Sequence, residues 1–190
     1  MRRLCVLIAA LLVASLASAT PEAGQEALWR ALAGGVHLVL LRHAEAPGTG
    51  DPAGFQIDDC ATQRNLDEAG RAQARRIGAR FRDQGIERAR VFTSRWCRSR
   101  ETAELLGLGP VEELAPLDSF FGERASEAAR SEATLAFLAG LPAGAPVVLV
   151  THQVNITALT GVFPRSGEAV VARLEPDGDL AVVGRLAPPD

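Results

Sequence analysis

An apolar run that stops on an arginine and a histidine limits what this chain can fold into. Residues 36–41 are Val-His-Leu-Val-Leu-Leu, followed at once by Arg42 and His43 and then by a loop rich in Gly and Pro from 47 to 54. A short stretch apolar on both of its faces is the pattern of a strand buried on both sides, which is the pattern of a parallel sheet. In open α/β sheets ligands bind outside the carboxyl ends of the strands, so Arg42 and His43 stand where chemistry is done. Residues 90–94 and 146–151 repeat the theme: apolar strands that end at Ser94-Arg95, with Arg98 just beyond, and at Thr151-His152.

Between these strands the chain alternates in period. A helix is expected over 26–33, stopped by Gly34 and Gly35. Asp67 caps a second, amphipathic helix with Ala69, Ala72, Ile77 and Phe81 on its apolar face, ending near Gly85. Helices are expected over 101–106, 127–138 and 155–160, and an extended segment over 111–117. Residues 168–174 and 180–186 read as strands joined at Pro176-Asp177-Gly178-Asp179, a hairpin signal. Alternating strands and helices predict an α/β, three-layer fold: a mainly parallel sheet flanked by helices, with a C-terminal β-hairpin as its antiparallel edge. The loop 46–65 is long for a compact domain, and such loops are functional or mobile.

The first nineteen residues have another logic. Met1-Arg2-Arg3 is basic, 4–16 is apolar, and Ala17-Ser18-Ala19 is an A-x-A site, the build of a secretory signal peptide cleaved after Ala19. The expected division is a signal peptide over 1–19 and one domain over 20–190, with a periplasmic or secreted location and no membrane span after cleavage. Removal of Arg2 and Arg3 takes the net charge from −3 to −5. A mildly acidic protein is a poor polyanion binder, which argues against nucleic acid as a partner. Cys60 and Cys97 survive cleavage, and an exported protein meets conditions that permit disulfides; a bridge or two free thiols are both open, and a thiol count separates them. Their spacing fits no zinc pattern.

Parallel strands bring their carboxyl ends to one edge, so His43, His152, Arg42 and an arginine of the 95–98 segment converge. Phosphoryl transfer needs this set: guanidinium groups grip the non-bridging oxygens, and a neutral imidazole attacks phosphorus. No cofactor or metal is expected. A metallohydrolase built on His43, His152 and Asp58 or Asp59 is disfavoured, because nothing gives these residues facing ligand spacing.

Four segments carry a resemblance. Leu41-Arg42-His43-Ala44-Glu45 resembles the Arg-His-Gly signature of the histidine phosphatase (phosphoglycerate mutase-like) superfamily. Residues 94–103, Ser-Arg-Trp-Cys-Arg-Ser-Arg-Glu-Thr-Ala, resemble its Ser-x-x-x-Arg-Ala-x-Gln-Thr-Ala motif; Val150-Thr151-His152 resembles its second-histidine motif; and 66–74 is similar to its Leu-Thr-x-x-Gly-x-x-Gln-Ala helix start. The resemblance implies that His43 is the nucleophile, that Arg42 and Arg98 hold the phosphoryl oxygens, and that His152 completes the pocket. It implies a hydrolase, a phosphoric monoester phosphatase working through a phosphohistidine intermediate. The substrate expected is a phosphorylated small molecule or a cell-envelope component. Asp51-Pro52, Gln63-Arg64-Asn65, Trp96-Cys97-Arg98 and Ser119-Phe120-Phe121 resemble the lipopolysaccharide-core heptose phosphatase group. The alternative is a phosphate- or sugar-phosphate-binding module of the same fold with weak or no catalysis.

Departures mark where the resemblance thins. Ala44 stands for Gly, and Gln153-Val154 stand where Gly-Gly is usual. For the proton donor Glu123 competes with Asp118, or neither serves. Glu123 is preferred on the expectation that Phe120 and Phe121 bury its loop and aim it inward; without a donor the enzyme would suit phosphoramidates or good leaving groups. Arg64 is a candidate substrate contact, against pairing with Asp58 or Asp59. Arg95 is read as an ion-pair residue, Asn155 as a helix cap, Trp96 as a packing lid and His37 as a packing residue.

Overall fold

The computed structural model describes residues 21–189; the expected signal peptide over 1–19 lies outside them. Among the described residues one six-stranded sheet is covered by five α-helices. In chain order these are α1 (Pro21–Ala33), β1 (Leu38–Arg42), α2 (Glu68–Asp83), β2 (Arg90–Thr93), α3 (Cys97–Leu106), β3 (Val111–Glu113), α4 (Glu127–Ala139), β4 (Val147–Thr151), α5 (Gln153–Thr160), β5 (Ala169–Leu174) and β6 (Leu180–Leu186). The strand order is β3-β2-β4-β1-β5-β6. The first four strands in that order run parallel, and β5 and β6 pair antiparallel, as the sequence pattern predicts.

The apolar strands explain the layers. Side chains alternate across a strand, so Val39 and Leu41 of β1 point to one face, with Val91, Val148, Val150 and Val171 beside them. There they meet Trp29 and Leu32 of α1, Ile77 and Phe81 of α2, and Ala103 and Leu106 of α3. Leu38, Leu40, Phe92, Leu149 and Val170 point the other way, onto Leu138 of α4 and Ile156 of α5. Fully burying each such side chain stabilises the fold by about 1.5–3 kcal/mol relative to exposure. β1 lies between β4 and β5, so its carboxyl end opens at the middle of the sheet edge.

Three details depart from the expected pattern. Helix α3 begins at Cys97, four residues before the apolar period starts, because its first N–H groups find partners outside the helix. Ser94 Oγ accepts from Trp96 N at 3.2 Å and Gln63 Oε1 accepts from Cys97 N at 3.0 Å. That early start puts Arg98 in the first turn of the helix, over the strand ends. Helix α2 is capped by Asp67, whose Oδ1 accepts from Gly70 N at 2.8 Å. Its inner face, however, is Gly70, Ala74, Ile77, Gly78 and Phe81, while Ala69 is exposed. The two glycines are there for close approach: a Cβ on Gly70 would lie 1.9 Å from the Glu45 carbonyl oxygen, and one on Gly78 would lie 2.0 Å from that of Leu106. Finally, α5 begins at Gln153 with His152 at its cap position, so Asn155 sits inside the helix and is not its cap.

Candidate active site

The carboxyl ends of β1, β2 and β4 are laced together by backbone hydrogen bonds. His43 N donates to Thr151 O at 2.9 Å and Ser94 N to Val150 O at 3.1 Å. This brings His43, Arg42, Arg98 and His152 to one cavity of about 320 Å³, which Arg64 also lines.

His43 is the most constrained side chain there. It is buried, and its Nδ1 sits 2.8 Å from the carbonyl oxygen of Ala44. A carbonyl only accepts, so Nδ1 carries the proton and Nε2 keeps its lone pair. Burial, and after it the Arg98 charge, hold the His43 pKa well below the ordinary imidazole value, which keeps Nε2 unprotonated. The backbone beyond it is clamped by two helices. Ala44 N donates to Thr102 Oγ1 of α3 at 3.0 Å, and Glu45 N to Gln73 Oε1 of α2 at 2.9 Å. Gly70 and Gln73, three residues apart in the 66–74 motif, thus let α2 press against Glu45 and grip it.

Arg98 is 3% exposed, and its Nε donates to His43 Nε2 at 3.3 Å, a bond that an incoming phosphoryl group would replace. The far end of its guanidinium is taken by Asp51, with Nη1 to Oδ1 at 2.7 Å and Nη2 to Oδ2 at 3.1 Å. Asp51 therefore holds Arg98 end-on and turns the side bearing Nε toward His43, where a phosphoryl group attacked by Nε2 would lie. Burial pushes the Asp51 carboxyl up, but its bonds from Arg98, Arg64 N and Trp96 outweigh that and leave it below the usual carboxylate range. Asp51 is the residue that reading by motif missed as a site residue. The signal was available: it is the sole acid of the Gly/Pro-rich segment 46–56, eight residues past His43.

Arg64 does not pair with Asp58 or Asp59. Its Nε donates to Gly50 O at 2.7 Å and its Nη1 to Ala46 O, so it holds the 46–51 loop while facing the cavity. Arg42 donates from Nη1 to Pro164 O at 2.9 Å, and its Nε is buried without a protein partner. His152 is buried, and burial followed by the Arg98 charge holds its pKa well below the ordinary value. Its Nε2 lies 2.8 Å from Ser94 Oγ and 3.4 Å from Ser99 Oγ.

Neither carboxylate weighed as proton donor faces His43. Phe120 is buried, but Phe121 is 52% exposed, and the turn it begins leaves Glu123 exposed in a neighbouring groove with Arg130. The expectation that two phenylalanines aim Glu123 inward thus fails at the second of them. Asp118 is fully buried, bonded to Arg95 through N at 2.9 Å and Nε at 2.8 Å, with Arg130 at 3.5 Å. Arg95 is the ion-pair residue expected. Asn155 donates to Asp118 O at 2.9 Å, extending the same network. Trp96 packs as a lid, its ring 5.5 Å from those of both Phe55 and His152. His37 lies before β1, half-buried, with Nδ1 3.2 Å from Ala31 O.

Cys60 and Cys97 are joined as a disulfide. It fastens the loop carrying Asp51, Gln63 and Arg64 to the first residue of α3, beside Arg98. Among the described residues no group of three or more His, Cys, Asp and Glu side chains could hold a metal ion.

Residues 38–120, which carry β1 to β3 and most of the cavity's charged side chains, match the model of the histidine phosphatase superfamily, branch 1. The protein histidine phosphatase SixA, solved with tungstate, superposes with a TM-score of 0.58 at 19% identity, over 80% of this chain and 97% of that one. TTHB049 from Thermus thermophilus superposes with a TM-score of 0.55 at 25% identity, over 80% and 99% of the two chains. Among curated proteins, the mitochondrial serine/threonine-protein phosphatase Pgam5 of Drosophila willistoni is 37% identical over 70 residues, which is 37% of this chain and 21% of that protein. The chain therefore aligns with about a fifth of the length of the curated relatives it matches.

Proposed function

We propose that this chain is an exported phosphatase in which His43 Nε2 takes the phosphoryl group from the substrate and passes it to water. The observation that carries the reading is the pair of contacts on His43: Nδ1 tied to Ala44 O, and Nε2 facing the Nε of Arg98. Nε2 attacks phosphorus as the bond to the leaving group breaks. Arg42, Arg98 and His152 hold the non-bridging oxygens, whose charge they neutralise. Water then cleaves the phosphorus–nitrogen bond, releasing inorganic phosphate and restoring the imidazole. Catalysis here is positioning and charge stabilisation.

The leaving group must depart with little help. The one carboxylate lining the cavity, Asp51, is committed to Arg98. Monoesters of good leaving groups and phosphoramidates fit this best. Phe121 and Phe163, 52% and 68% exposed at the rim, favour a leaving group with a ring or an apolar face. A phosphorylated sugar of the cell envelope offers such a ring but leaves poorly without a proton, whereas a phosphorylated imidazole meets both conditions. The first agrees with the sequence's likeness to heptose phosphatases and with its signal-like start, and the second with the SixA neighbour.

The test is turnover of an aryl phosphate and of a phosphoramidate by the form beginning at Thr20, with and without a chelator. Activity should survive the chelator and fall by about 10³-fold or more in His43→Ala. Turnover unchanged in His43→Ala would refute the nucleophile. Binding of phosphate without turnover in the unaltered chain would favour a binding module.

A further inference from the structure

His152 has one ring nitrogen in a hydroxyl pair and the other with nothing. Nε2 faces Ser94 Oγ at 2.8 Å, with Ser99 Oγ behind it at 3.4 Å, whereas Nδ1 is buried with no protein partner. The tautomer follows from counting hydrogens around Ser94. Its hydroxyl is fully buried and already accepts from Trp96 N at 3.2 Å. If Nε2 carried the proton, Ser94 Oγ would accept twice and its own hydrogen would have no acceptor among the bonds it makes. If Nε2 is bare, Ser94 accepts from Trp96 and donates to His152, and every group in the chain of bonds is satisfied. The proton of the neutral imidazole then sits on Nδ1.

We propose that Ser94 is a positioning residue: its hydroxyl donates to His152 Nε2 and so makes Nδ1–H a neutral donor to a phosphoryl oxygen held between His43 and Arg98. The opposite tautomer would turn a lone pair on that oxygen and repel it. The assignment rests on the phosphoryl site proposed above and gives its first serine a role in the reaction. It also explains a buried donor that the protein leaves unpaired, which otherwise costs stability. The two imidazoles thereby share a tautomer for opposite ends. In His43, Nδ1–H is spent on Ala44 O so that Nε2 can attack; in His152, Nε2 is spent on Ser94 so that Nδ1–H can hold. Trp96 completes the arrangement, since its backbone N–H occupies the serine lone pair and its ring packs on His152.

The experiment reads the tautomer directly. The chain has three histidines, so ¹⁵N-labelled protein gives three ring patterns, assigned with His37→Asn and His43→Asn. In the unaltered protein, His152 should show a protonated Nδ1 and a bare Nε2, and inorganic phosphate should move the Nδ1 signal. In Ser94→Ala/Ser99→Ala the proton should redistribute toward Nε2. Inhibition by phosphate should weaken about tenfold or more, the size of one hydrogen bond to a charged group. Ser94→Thr keeps a hydroxyl and should keep the native pattern. A protonated Nε2 in the unaltered protein overturns the proposal whatever the variants do. So does the double alanine variant with native tautomer and native phosphate inhibition. Phosphate that binds without moving the His152 ring overturns it and spares the phosphoryl site; no phosphate binding at all overturns both.

Discussion

At the scale of single residues the site is a set of buried charges whose directions are set by neighbours. Arg98 shows this best. A guanidinium offers two faces, and Asp51 occupies one so that the other meets His43. Asp51→Asn should therefore separate two kinetic quantities. Removing the carboxylate charge leaves more positive potential in the cavity, so inorganic phosphate should inhibit at lower concentration. Loss of the end-on hold should let Arg98 turn, so kcat should fall about tenfold, less than the roughly 10²–10³-fold cost of removing a charge-stabilising donor outright. Steady-state kinetics with phosphate as inhibitor reads both, and equal changes in the two would argue that Asp51 does not aim Arg98. Arg42, His43, Arg98 and His152 were legible in the sequence, because each ends an apolar strand or opens the helix after one. The placements of Asp51 and Glu123 were not legible, for one reason: both lie on irregular loops, where no period says which way a side chain points. Glu123 failed on the orientation of Phe121, and Asp51 gained its place through contacts with Trp96 and Arg64 distant in sequence.

At the scale of elements, α2 and α3 act as a pair of jaws on the strand end. Their contacts at Gly70 and Gly78 are both backbone approaches, yet they differ in what lies opposite. Gly78→Ala would drive a methyl group into the Leu106 carbonyl at the tail of α3. It should lower stability by about 1–3 kcal/mol, as overpacking does, and leave the kcat of the folded fraction unchanged. Gly70→Ala would press on Glu45, two residues past His43, and should lower stability and kcat together. Urea unfolding beside initial rates distinguishes the pair. Most elements could be anticipated from period alone, and β6 falls on the residues expected. The start of α3 could not, because Ser94 and Gln63 satisfy its first N–H groups from outside the helix and Gln63 reaches it across more than thirty residues. The exposed Ala69 likewise shows that apolar letters on a helix do not name its buried face when glycines are what the neighbour requires.

The whole molecule has a dependence on pH that comes from the same two imidazoles. His43 and His152 are both buried, and burial together with Arg98 lowers both of their pKa values. In the unfolded chain they regain the ordinary value near 6.5 and take up protons that the folded chain refuses. The sign follows: stability is undiminished above about pH 6.5 and is lost as pH falls below it, by up to about 1.4 kcal/mol per pH unit for each imidazole. Urea midpoints between pH 7 and pH 5, above the range where ordinary carboxylates titrate, should fall steadily in the unaltered protein. They should be nearly level in His43→Asn/His152→Asn. An unaltered midpoint flat over that interval would contradict the depressed values. Activity should not show the titration near 6.5 that a free imidazole gives, since His43 stays neutral below it.

The disulfide gives the site a dependence on chemical history. Cys60 and Cys97 are 37 residues apart, and closing a loop of that size removes about 4 kcal/mol of chain entropy from the unfolded state. The closure also falls one residue from Arg98, with Asp51, Gln63 and Arg64 on the strap it fastens. The apolar clusters on the two faces of the sheet are made of residues outside the strap, whereas Asp51 and Arg64 lie on it. An unoxidised chain lacks the fastening that keeps Asp51 against Arg98. Oxidation therefore bears on the binding chemistry as well as on stability, and two samples of one sequence that differ in this bridge are expected to differ in their grip on phosphate.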